Sequence, residues 1–397
     1  MPDVPEIALT DPEVLHDPFT VYGRARERSP LAKLVAPGFG PMWTFLRHEG
    51  ARRMLSDTRF ALNANSYQGL DVPDHCKPYM RTMQEMEGAE HLRLRRLVAP
   101  AFTPRRAAAI RPGIERIVEG LLDDLPEDGP VDLITEFARP LPVDVTCAMV
   151  GIPEADRLRW REYGAAVAAG DAKGLAKAVP GIVEDCLSAI AHRKLEPGDD
   201  VVSDLLRIQA EDGDRLDETE LVTLVWQLVL AGQVPGNLIA NAVETLLAYP
   251  DQLAALREDP ALLPGAVDEL MRWCGPQLLT IPRHATEDVE VDGVLIRQGE
   301  PVTVAIAAAN RDPRAFTDPE VFDIRRAHGP LWHLGFAHGP HFCLGAPLAR
   351  IQTEVALAGL LRRFPGLAPA EGSLRIPDPG TWRLTAYPVT LREPVAN

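Results

Sequence analysis

The sequence predicts a mainly α-helical protein with a minor β part, and two observations support that prediction. Apolar residues recur at helical spacing through most of the chain from about residue 85 to residue 275. Strand-like alternation is confined to a few short pieces. The chain has 397 residues, of which 46% are hydrophobic, so it can bury a large core. We expect one domain over residues 1–397.

Shorter helices are predicted on either side of a long one. Residues 90–102 and 104–125 each carry an apolar stripe, and residues 260–274 form a further helix. The stripes consist of Leu94, Leu97 and Val98 in the first helix and of Ile114, Ile117, Leu121 and Leu122 in the second. We expect each stripe to face the core.

The long helix covers residues 221–249 and is apolar on nearly every side, which predicts that it is buried. Asp217, with Glu220 three residues later, matches the capping box that begins many helices. The helix would be about 30 residues long, or roughly 45–50 Å at 1.5 Å per residue. It is long enough to cross a whole domain.

Pro235 interrupts this helix. Proline has no amide hydrogen, so the carbonyl of Ala231 loses its partner, and a proline inside a helix costs roughly 3 kcal/mol or more. Gly232 and Gly236 are expected to loosen the turns beside it. The sequence therefore predicts a local break in a buried helix.

Three short segments predict strands, at residues 42–46, 288–296 and 300–308. Asp292 and Gly293 stand in the middle of the second segment, where that dipeptide favours a tight hairpin turn. The β part of the protein should therefore be small.

Composition excludes several classes of function. The net charge of −16 argues against nucleic-acid binding. We see no signal peptide and no apolar run long enough for a membrane span, so we expect a cytoplasmic protein. Five cysteines at wide spacing predict neither a disulfide framework nor a zinc site. Four of them read as buried apolar residues, and Cys343 differs.

Cys343 lies in a glycine-rich loop that leads directly into an apolar-periodic helix. Cysteine binds metal as the thiolate, which the N-terminus of a helix stabilises. Gly339 and Gly345 let the backbone approach a flat partner closely. A single cysteine suits a metal that other donors already hold, as in a haem.

The pattern from Phe336 to Gly345, written FxxGxxxCxG, resembles the haem-ligand loop of cytochromes P450. Glu269 and Arg272 resemble the family's ExxR pair, and residues 309–326 resemble the stretch that supplies it with a further arginine, here Arg326. The resemblance extends over essentially the whole chain and is to soluble bacterial members. It implies the cytochrome P450 fold, with a long distal helix and a ligand loop before the last long helix.

The resemblance also implies a cofactor, haem b, with Cys343 as its iron ligand; His333 and His338 are not expected to take that role. Phe336, Gly339 and Gly345 belong to the same haem-binding loop. The haem propionates would be held by His91, Arg95, Arg283 and His341. Glu269, Arg272 and Arg326 would brace the core. The substrate pocket would be lined by residues 63–90 and by Leu279, Thr280, Ile281, Leu384 and Thr385.

The implied partners are a small-molecule substrate, dioxygen, and a ferredoxin with its reductase; nucleic acid and membrane are not expected. A monomer is expected. A minority of arginines, Arg95, Arg96, Arg105, Arg106, Arg350, Arg362 and Arg363, reads either as a solvated face or as a docking patch for an acidic ferredoxin.

The distal motif departs from the family. Most members have Ala-Gly, a free position, an acid and a threonine, which guide protons to bound dioxygen. Ala231 and Gly232 match, but Gln233, Val234 and Pro235 follow, and neither of the last two carries a proton.

Three reaction types therefore stay open for a tailoring enzyme of natural-product pathways. They are monooxygenation with protons from substrate or water, with Gln233 or Asn237 helping, oxidative coupling without oxygen insertion, and peroxide-driven oxidation. A non-catalytic haem sensor is the remote alternative.

Overall fold

The computed structural model describes residues 4–66, 69–126, 129–169, 172–211, 215–327 and 333–391. The chain forms two compact units. The first consists of Met1–Tyr67, Asn241–Cys343 and Ser373–Thr385, and the second of Gln68–Ala240, Leu344–Gly372 and Ala386–Asn397.

Helices dominate the described residues. The α-helices are α1 (Pro12–His16), α2 (Pro18–Arg28), α3 (His48–Ser56), α4 (Gly88–Val98), α5 (Pro104–Asp123), α6 (Pro140–Val150), α7 (Arg157–Ala169), α8 (Ala172–Leu195), α9 (Val201–Glu211), α10 (Glu218–Ala231), α11 (Pro235–Ala248), α12 (Pro250–Glu258), α13 (Leu263–Cys274), α14 (Ile306–Ala309) and α15 (Ala346–Arg363). Short 3₁₀ turns include Asp74–Met80, Met83–Glu85 and Gly339–His341.

The strands are short. They are β1 (Glu6–Ala8), β2 (Leu31–Ala36), β3 (Phe39–Phe45), β4 (Phe60–Ala61), β5 (Val131–Asp132), β6 (Arg283–Ala285), β7 (Val289–Val291), β8 (Val294–Ile296), β9 (Pro301–Val304), β10 (Ala368–Pro369), β11 (Leu374–Arg375), β12 (Leu384–Ala386) and β13 (Pro388–Thr390). The mainly helical class with a minor β part is confirmed.

The first unit is built around a six-stranded sheet in the order β1-β2-β3-β9-β6-β4. Antiparallel β2 and β3 pair Leu31 with Phe45, and parallel β3 and β9 pair Trp43 with Val302. These four side chains are buried in one apolar cluster on the sheet. The sheet therefore holds β6, and with it Arg283, in a fixed register.

The second unit is mainly helical, with a small sheet in the order β10-β13-β5. Its helices α5 and α15 approach closely at Gly359, where an added Cβ would lie 2.7 Å from Val118 and 3.2 Å from Leu122. Phe137 and Trp160 are fully buried in the same unit. The close packing of α15, the helix that follows Cys343, thus depends on a glycine.

The long apolar helix predicted from the sequence consists of two consecutive helices, α10 and α11. Asp217 caps α10 by accepting from the amide of Glu220, and the Glu220 carboxylate accepts in return from the amide of Asp217, so the capping box is confirmed. The helix then breaks over residues 232–234 and resumes at Pro235, the first residue of α11. The predicted break is confirmed, since a first helical turn does not use the amide hydrogen that proline lacks.

Two other sequence expectations have different outcomes. The hairpin over residues 288–296 is confirmed: Asp292 and Gly293 have φ of 49° and 77°, the left-handed values that a tight turn between β7 and β8 requires. The strand predicted to Ala308 is wrong beyond Val304, because the alanine-rich residues that follow form α14.

One described stretch, Glu218–Ala248, has the length and apolar composition of a membrane-crossing helix. Of its most apolar window, 61% is buried within the protein. Burial of that kind is typical of a core helix, and by itself the stretch is weak evidence for a membrane span.

Candidate active site

The cysteine loop is folded back on itself. The amide of Cys343 donates to the carbonyl of Phe336 at 2.9 Å, and Phe336 is buried. Ala337 and Gly339 adopt positive φ of 59° and 76°, which turns the chain sharply between them. Cys343 is exposed at the end of this turn, just before the first residue of α15. A thiolate there is stabilised by the helix N-terminus.

Gly339 and Arg283 meet at one backbone carbonyl. An added Cβ on Gly339 would lie 2.6 Å from the carbonyl oxygen of Leu55, and a guanidinium nitrogen of Arg283 donates to that oxygen at 2.9 Å. Arg283 is 5% exposed. The cysteine loop, strand β6 and the end of α3 thus lie together in the first unit. Arg283 is therefore close to the loop that carries His341 and Cys343.

In the second unit, α4 carries the other predicted propionate residues. His91 is 2% exposed, and Arg95 lies one turn later on the same face and is half-buried. An imidazole N–H and a guanidinium N–H can each donate a hydrogen bond to a carboxylate. Both residues are therefore suited to a carboxylate, which is the chemistry of a propionate.

The Glu269–Arg272 pair is fully buried and bidentate. The two guanidinium nitrogens Nε and Nη2 each lie 2.7 Å from a Glu269 oxygen, and Nη1 donates to the carbonyls of Asn310 and Pro319 at 3.0 and 2.9 Å. Arg326 reaches the same carboxylate at 3.1 Å. The structure thus brings together the three residues assigned to the core brace. Removing one partner would leave a buried charge unpaired.

The glycines beside the break have a packing role. An added Cβ on Gly232 would lie 2.4 Å from the hydroxyl of Thr146, and one on Gly236 would lie 2.4 Å from the carbonyl oxygen of Ala138. Thr146 lies within α6, and Ala138 lies two residues before that helix. Gly236 therefore admits the close approach of another backbone and Gly232 that of a side chain, whereas the sequence suggested only that they loosen the helix.

Backbone hydrogen bonds tighten across the break. The amides of Gly236 and Asn237 donate three residues back, to Gln233 at 3.0 Å and to Val234 at 3.1 Å. The carbonyl of Gly232 thereby loses its usual donor four residues on, and that of Ala231 loses its donor because Pro235 has none. Two acceptors are thus released next to each other.

The polar side chains near the break carry no titratable group. Both polar atoms of Gln233 are buried, with no hydrogen bond in the described part of the chain, and pack against Gly164 of α7. Thr146 donates its hydroxyl to the carbonyl of Pro142 at 2.7 Å. Val234 is 38% exposed and apolar. The break itself therefore offers carbonyl acceptors and amides but no acid.

The other cysteines are chemically quiet. Burial raises the pKa of Cys147 and of Cys274 to about 12, and it raises the pKa of Cys76 and of Cys186 as well. All four are buried, as the sequence indicated. Among the described residues no group of three or more histidine, cysteine or acidic side chains could hold a metal ion.

Both ring nitrogens of His333 contact neighbouring groups of the protein. Its Nδ1 accepts from the amide of Gly335 at 3.1 Å, so the proton sits on Nε2, which faces Asp268 at 3.4 Å. Both ring nitrogens are therefore engaged away from a metal. Burial lowers the pKa of His338, with Arg52 adding to the effect.

The predicted pocket residues have mixed surroundings. Thr280 uses its hydroxyl within the sheet, accepting from the amide of Val304 at 3.0 Å. Thr385 donates its hydroxyl to the carbonyl of Leu374 at 3.1 Å, Leu384 is 3% exposed, and Ile281 is 42% exposed. Leu279 pairs with the sheet through a β-bridge. Of this set, Ile281 presents the most exposed apolar side chain.

Sequence reasoning missed how the segment before α4 is attached. Within residues 63–90, Tyr67 and Gln68 lie outside the described residues. The carbonyl of Tyr79 accepts from the indole of Trp226 at 3.1 Å and the hydroxyl of Thr223 at 3.2 Å, and Gln227 accepts from the amide of Met83 at 3.1 Å. One face of α10 therefore holds this segment. The sequence does carry a sign of this contact, since Thr223, Trp226 and Gln227 place three hydrogen-bonding side chains on one face of an otherwise apolar helix.

Three of the seven arginines of the minority pair with acids within the protein. Arg106 pairs with Asp199, Arg362 with Glu119, and Arg363 with Glu119 and Asp123. Arg96 and Arg105 are exposed, and neither makes an ion pair within the described residues. They are the cations of this set best placed to meet another protein.

These residues fit a haem. The exposed thiol of Cys343, just before a long helix, would offer one ligand to a haem iron. Gly339 lies against the carbonyl of Leu55, which keeps the loop backbone tight. In the second unit, buried His91 and half-buried Arg95 can each donate to a carboxylate, and in the first unit buried Arg283 can do the same. Since the described residues hold no protein-only metal cluster, a metal bound here needs a cofactor that brings its own donors.

Comparison with known proteins agrees with a haem-binding site. A family model described as cytochrome P450 matches residues 254–388. The chain is 39% identical to cytochrome P450 107B1 of Saccharopolyspora erythraea, over 96% of this chain and 95% of that protein, and 38% identical to the cytochrome P450 monooxygenase PikC of Streptomyces venezuelae, over 98% and 95%.

A solved structure of the cytochrome P450 enzyme CxnD, described as acting in C–S bond formation in chuangxinmycin biosynthesis, superposes with a TM-score of 0.86 at 30% identity. It covers 100% of this chain and 99% of its own. The chain is therefore a cytochrome P450 monooxygenase of the bacterial type, with a haem whose iron is ligated by Cys343.

Proposed function

We propose that this enzyme tailors a small natural product bearing hydroxyl or amide groups, and that substrate hydroxyls or ordered water deliver the protons. The observation that carries the proposal is the helix break, where Val234 and Pro235 stand in place of an acid and a threonine. Oxygen chemistry requires proton delivery by some positioned group, and no side chain of the break titrates.

When bound, the haem supplies the iron at which dioxygen is reduced and the substrate is oxidised. The chain's part at the break is to hold hydrogen-bond donors in place. The carbonyls of Ala231 and Gly232 are released by Pro235 and by the shortened bonds after it. A carbonyl can accept a hydrogen bond from water or a substrate hydroxyl, but it cannot pass on a proton.

Gln233 and Asn237 have supporting roles in this proposal. Their amides neither gain nor lose protons at neutral pH, so they orient a hydroxyl or water without acting as an acid. Gln233 lies against Gly164, with both polar atoms buried. It therefore contributes from the α7 side of the break, and Asn237 from the first turn of α11.

The proposal is tested by restoring a relay. The double variant Val234→Glu with Pro235→Thr should consume dioxygen faster and waste more of it, because protons reach the site without the substrate. Single variants Val234→Ile and Pro235→Ala serve as controls without a titratable group. If the double variant consumes dioxygen at the wild-type rate, the lack of a proton-carrying side chain at the break does not limit the reaction, and the proposal is wrong.

Substrate variants provide a second test. Deleting a hydroxyl from a good substrate should lower turnover more than binding, because the group would act in proton delivery as well as recognition. Retained turnover after deletion of each hydroxyl and amide would contradict substrate assistance.

A second candidate function is oxidative coupling or ring closure without oxygen insertion. CxnD, by its description, forms a C–S bond, and the missing relay suits a reaction that leaves no oxygen in the product. Turnover under ¹⁸O-labelled dioxygen separates the two: label in the product means insertion, and unlabelled product means coupling. Turnover with peroxide alone, without reductase, would support the peroxide-driven alternative.

The proposed partners are dioxygen, the substrate, and a ferredoxin with its reductase. Exposed Arg96 and Arg105, in a chain of net charge −16, support an acidic donor that docks locally. We further propose that the protein is a cytoplasmic monomer. Sedimentation of the purified holoprotein tests the monomer.

A further inference from the structure

We propose that Asn241 is a positioning residue for substrate, whose side-chain amide sets the spacing of two segments, residues 276–281 and 380–385. These segments carry the residues assigned to substrate contact, so the inference rests on the proposed function in this respect. Nothing in the reaction requires Asn241 to touch the substrate. It acts through the backbone of the two segments.

The amide nitrogen of Asn241 joins the bases of both segments. Asn241 lies in α11 with none of its surface exposed. Its Nδ2 donates to the carbonyl of Cys274 at 2.9 Å and to that of Trp382 at 2.7 Å. Cys274 ends α13, just before the first segment, and Trp382 lies two residues before Leu384. Because an amide nitrogen has only two hydrogens, both are used.

The oxygen of the same amide is fixed as well. Arg375 donates to Asn241 Oδ1 at 3.2 Å, pairs with Glu244 one turn further along α11, and lies over the ring of Trp382 at 4.0 Å. Burial lowers the pKa of Arg375 and raises the pKa of Glu244, so the two charges depend on each other. The amide is thereby held in one orientation, with its nitrogen toward the two carbonyls.

Backbone hydrogen bonds also set the distance between the segments. The amide of Leu278 donates to the carbonyl of Gly380 at 2.9 Å, and the amide of Trp382 donates to the carbonyl of Pro276 at 2.8 Å. Asp378 shapes the turn by accepting from the amide of Gly380 at 2.8 Å. These bonds form a narrow ladder, and Asn241 closes its base.

The chemistry of substitution follows from the donor count. Asn241→Asp keeps the shape but has no N–H, and it turns a carboxylate oxygen toward two carbonyl oxygens. Both carbonyls then lose their donor inside the protein, a loss that local movement of the segments would relieve. Asn241→Gln keeps the NH₂ group on a longer arm, so it should displace the segments less.

The experiment uses the holoprotein and iron-binding azoles of graded size, namely imidazole, 4-phenylimidazole and clotrimazole, followed by the Soret shift. In Asn241→Asp we expect the Kd of clotrimazole to rise by about tenfold or more, which is about 1.4 kcal/mol, while that of imidazole stays within about twofold. Imidazole, which carries no substituent, is the small reference ligand. Asn241→Gln should also raise the Kd of clotrimazole more than that of imidazole, but by a smaller factor than Asn241→Asp.

Hydrogen exchange supplies a readout that does not depend on ligand or turnover. The amides of Leu278 and Trp382 should exchange at least about tenfold faster in Asn241→Asp, because their ladder loses its base. Arg375→Met removes the donor to Oδ1 but keeps both N–H donors of Asn241, so it should produce a smaller effect in the same direction. It also serves if Asn241→Asp does not fold.

Arg193→Met is the matched control for loss of stability. Arg193 pairs with Asp200 and its side chain is 21% exposed, similar to the 18% of Arg375, which pairs with Glu244. It should lower the Tm and leave azole discrimination and the exchange of Leu278 and Trp382 unchanged. If Asn241→Asp behaves like this control, Asn241 is only structural and the inference fails. Azole binding needs no turnover, so a failed proton-delivery test leaves this result intact.

Discussion

Single glycines at the helix break carry a packing requirement that can be measured. Gly236→Ala places a Cβ 2.4 Å from the carbonyl oxygen of Ala138, a backbone atom that cannot rotate away. We expect this change to destabilise the protein by on the order of 1–3 kcal/mol in urea denaturation of the apoprotein.

Gly120→Ala in α5 is the control for that measurement, because nothing lies within 4 Å of its added Cβ. It should be neutral or stabilise by about 0.4–1 kcal/mol through the unfolded chain. Equal effects of the two substitutions would show that Ala138 yields, and that the glycine at the break is not required for packing.

The five cysteines should differ sharply in reactivity. At pH 8 a thiol with a pKa of about 12 is ionised in roughly one molecule in ten thousand, so Cys147 and Cys274 should resist alkylation. Raised pKa values and burial protect Cys76 and Cys186 in the same sense. We expect iodoacetamide to label the apoprotein once, at Cys343, as read by peptide mass.

Haem loading should then block that single label, because the thiolate is occupied as the iron ligand. Raising the pH from 7 to 9 should leave the buried four unmodified, because burial raises the pKa of each of these thiols. Labelling of Cys343 at equal rates with and without haem would contradict its role as ligand.

At the residue level, the sequence predicted the features that are encoded within a few consecutive positions. Cys343 stands in a fixed loop pattern, and Glu269 lies one helical turn from Arg272. Asn241 and Gln227 gave no comparable signal, because an amide in an apolar helix shows neither its orientation nor its partner. Their contacts lie 33 and 144 residues away along the chain.

The attachment of the 3₁₀ segments before α4 can be tested at the level of elements. Trp226→Phe removes the indole donor to the carbonyl of Tyr79. The single hydroxyl hydrogen of Thr223 is shared between that carbonyl, at 3.2 Å, and the carbonyl of Thr219, at 2.8 Å. We expect a cost of about 0.5–1.5 kcal/mol and faster hydrogen exchange over residues 74–85.

Trp43→Phe is the matched control, since it removes a comparable indole bond to Glu300, at 2.9 Å, in the sheet of the first unit. It should cost similar stability without faster exchange over residues 74–85. If both variants leave that exchange unchanged, other contacts hold the segment on α10.

Elements were predictable where the local signal is strong. The capping box at Asp217 and the Asp292–Gly293 turn each specify a backbone conformation within four residues, and both are confirmed. The strand predicted to Ala308 failed because β-branched residues end at Val304, after which helix-favouring alanines take over. The two-residue strands β4, β5, β10 and β11 depend on distant pairing partners and leave no periodicity to read.

At the scale of the whole molecule, net charge opposes the approach of the proposed acidic electron donor. The net charge is −16, so the average field repels a ferredoxin-like protein, and docking needs a local basic region. Three arginines of the sequence-predicted patch, Arg106, Arg362 and Arg363, are paired with acids. Arg96 and Arg105 are exposed and make no ion pair within the described residues, so they can provide local attraction.

Reversing those two charges should slow electron transfer without altering the haem site. Each Arg→Glu change lowers the net charge by 2, so Arg96→Glu with Arg105→Glu takes it from −16 to −20. We expect reduction by a ferredoxin in stopped flow to slow by about tenfold at low ionic strength and by much less near 1 M salt, where the Debye length is about 3 Å. Arg257→Glu with Arg325→Glu, two exposed arginines of the other unit, gives the same net charge of −20 and should have little effect. Equal slowing by both pairs would mean that total charge, and no local patch, governs the encounter.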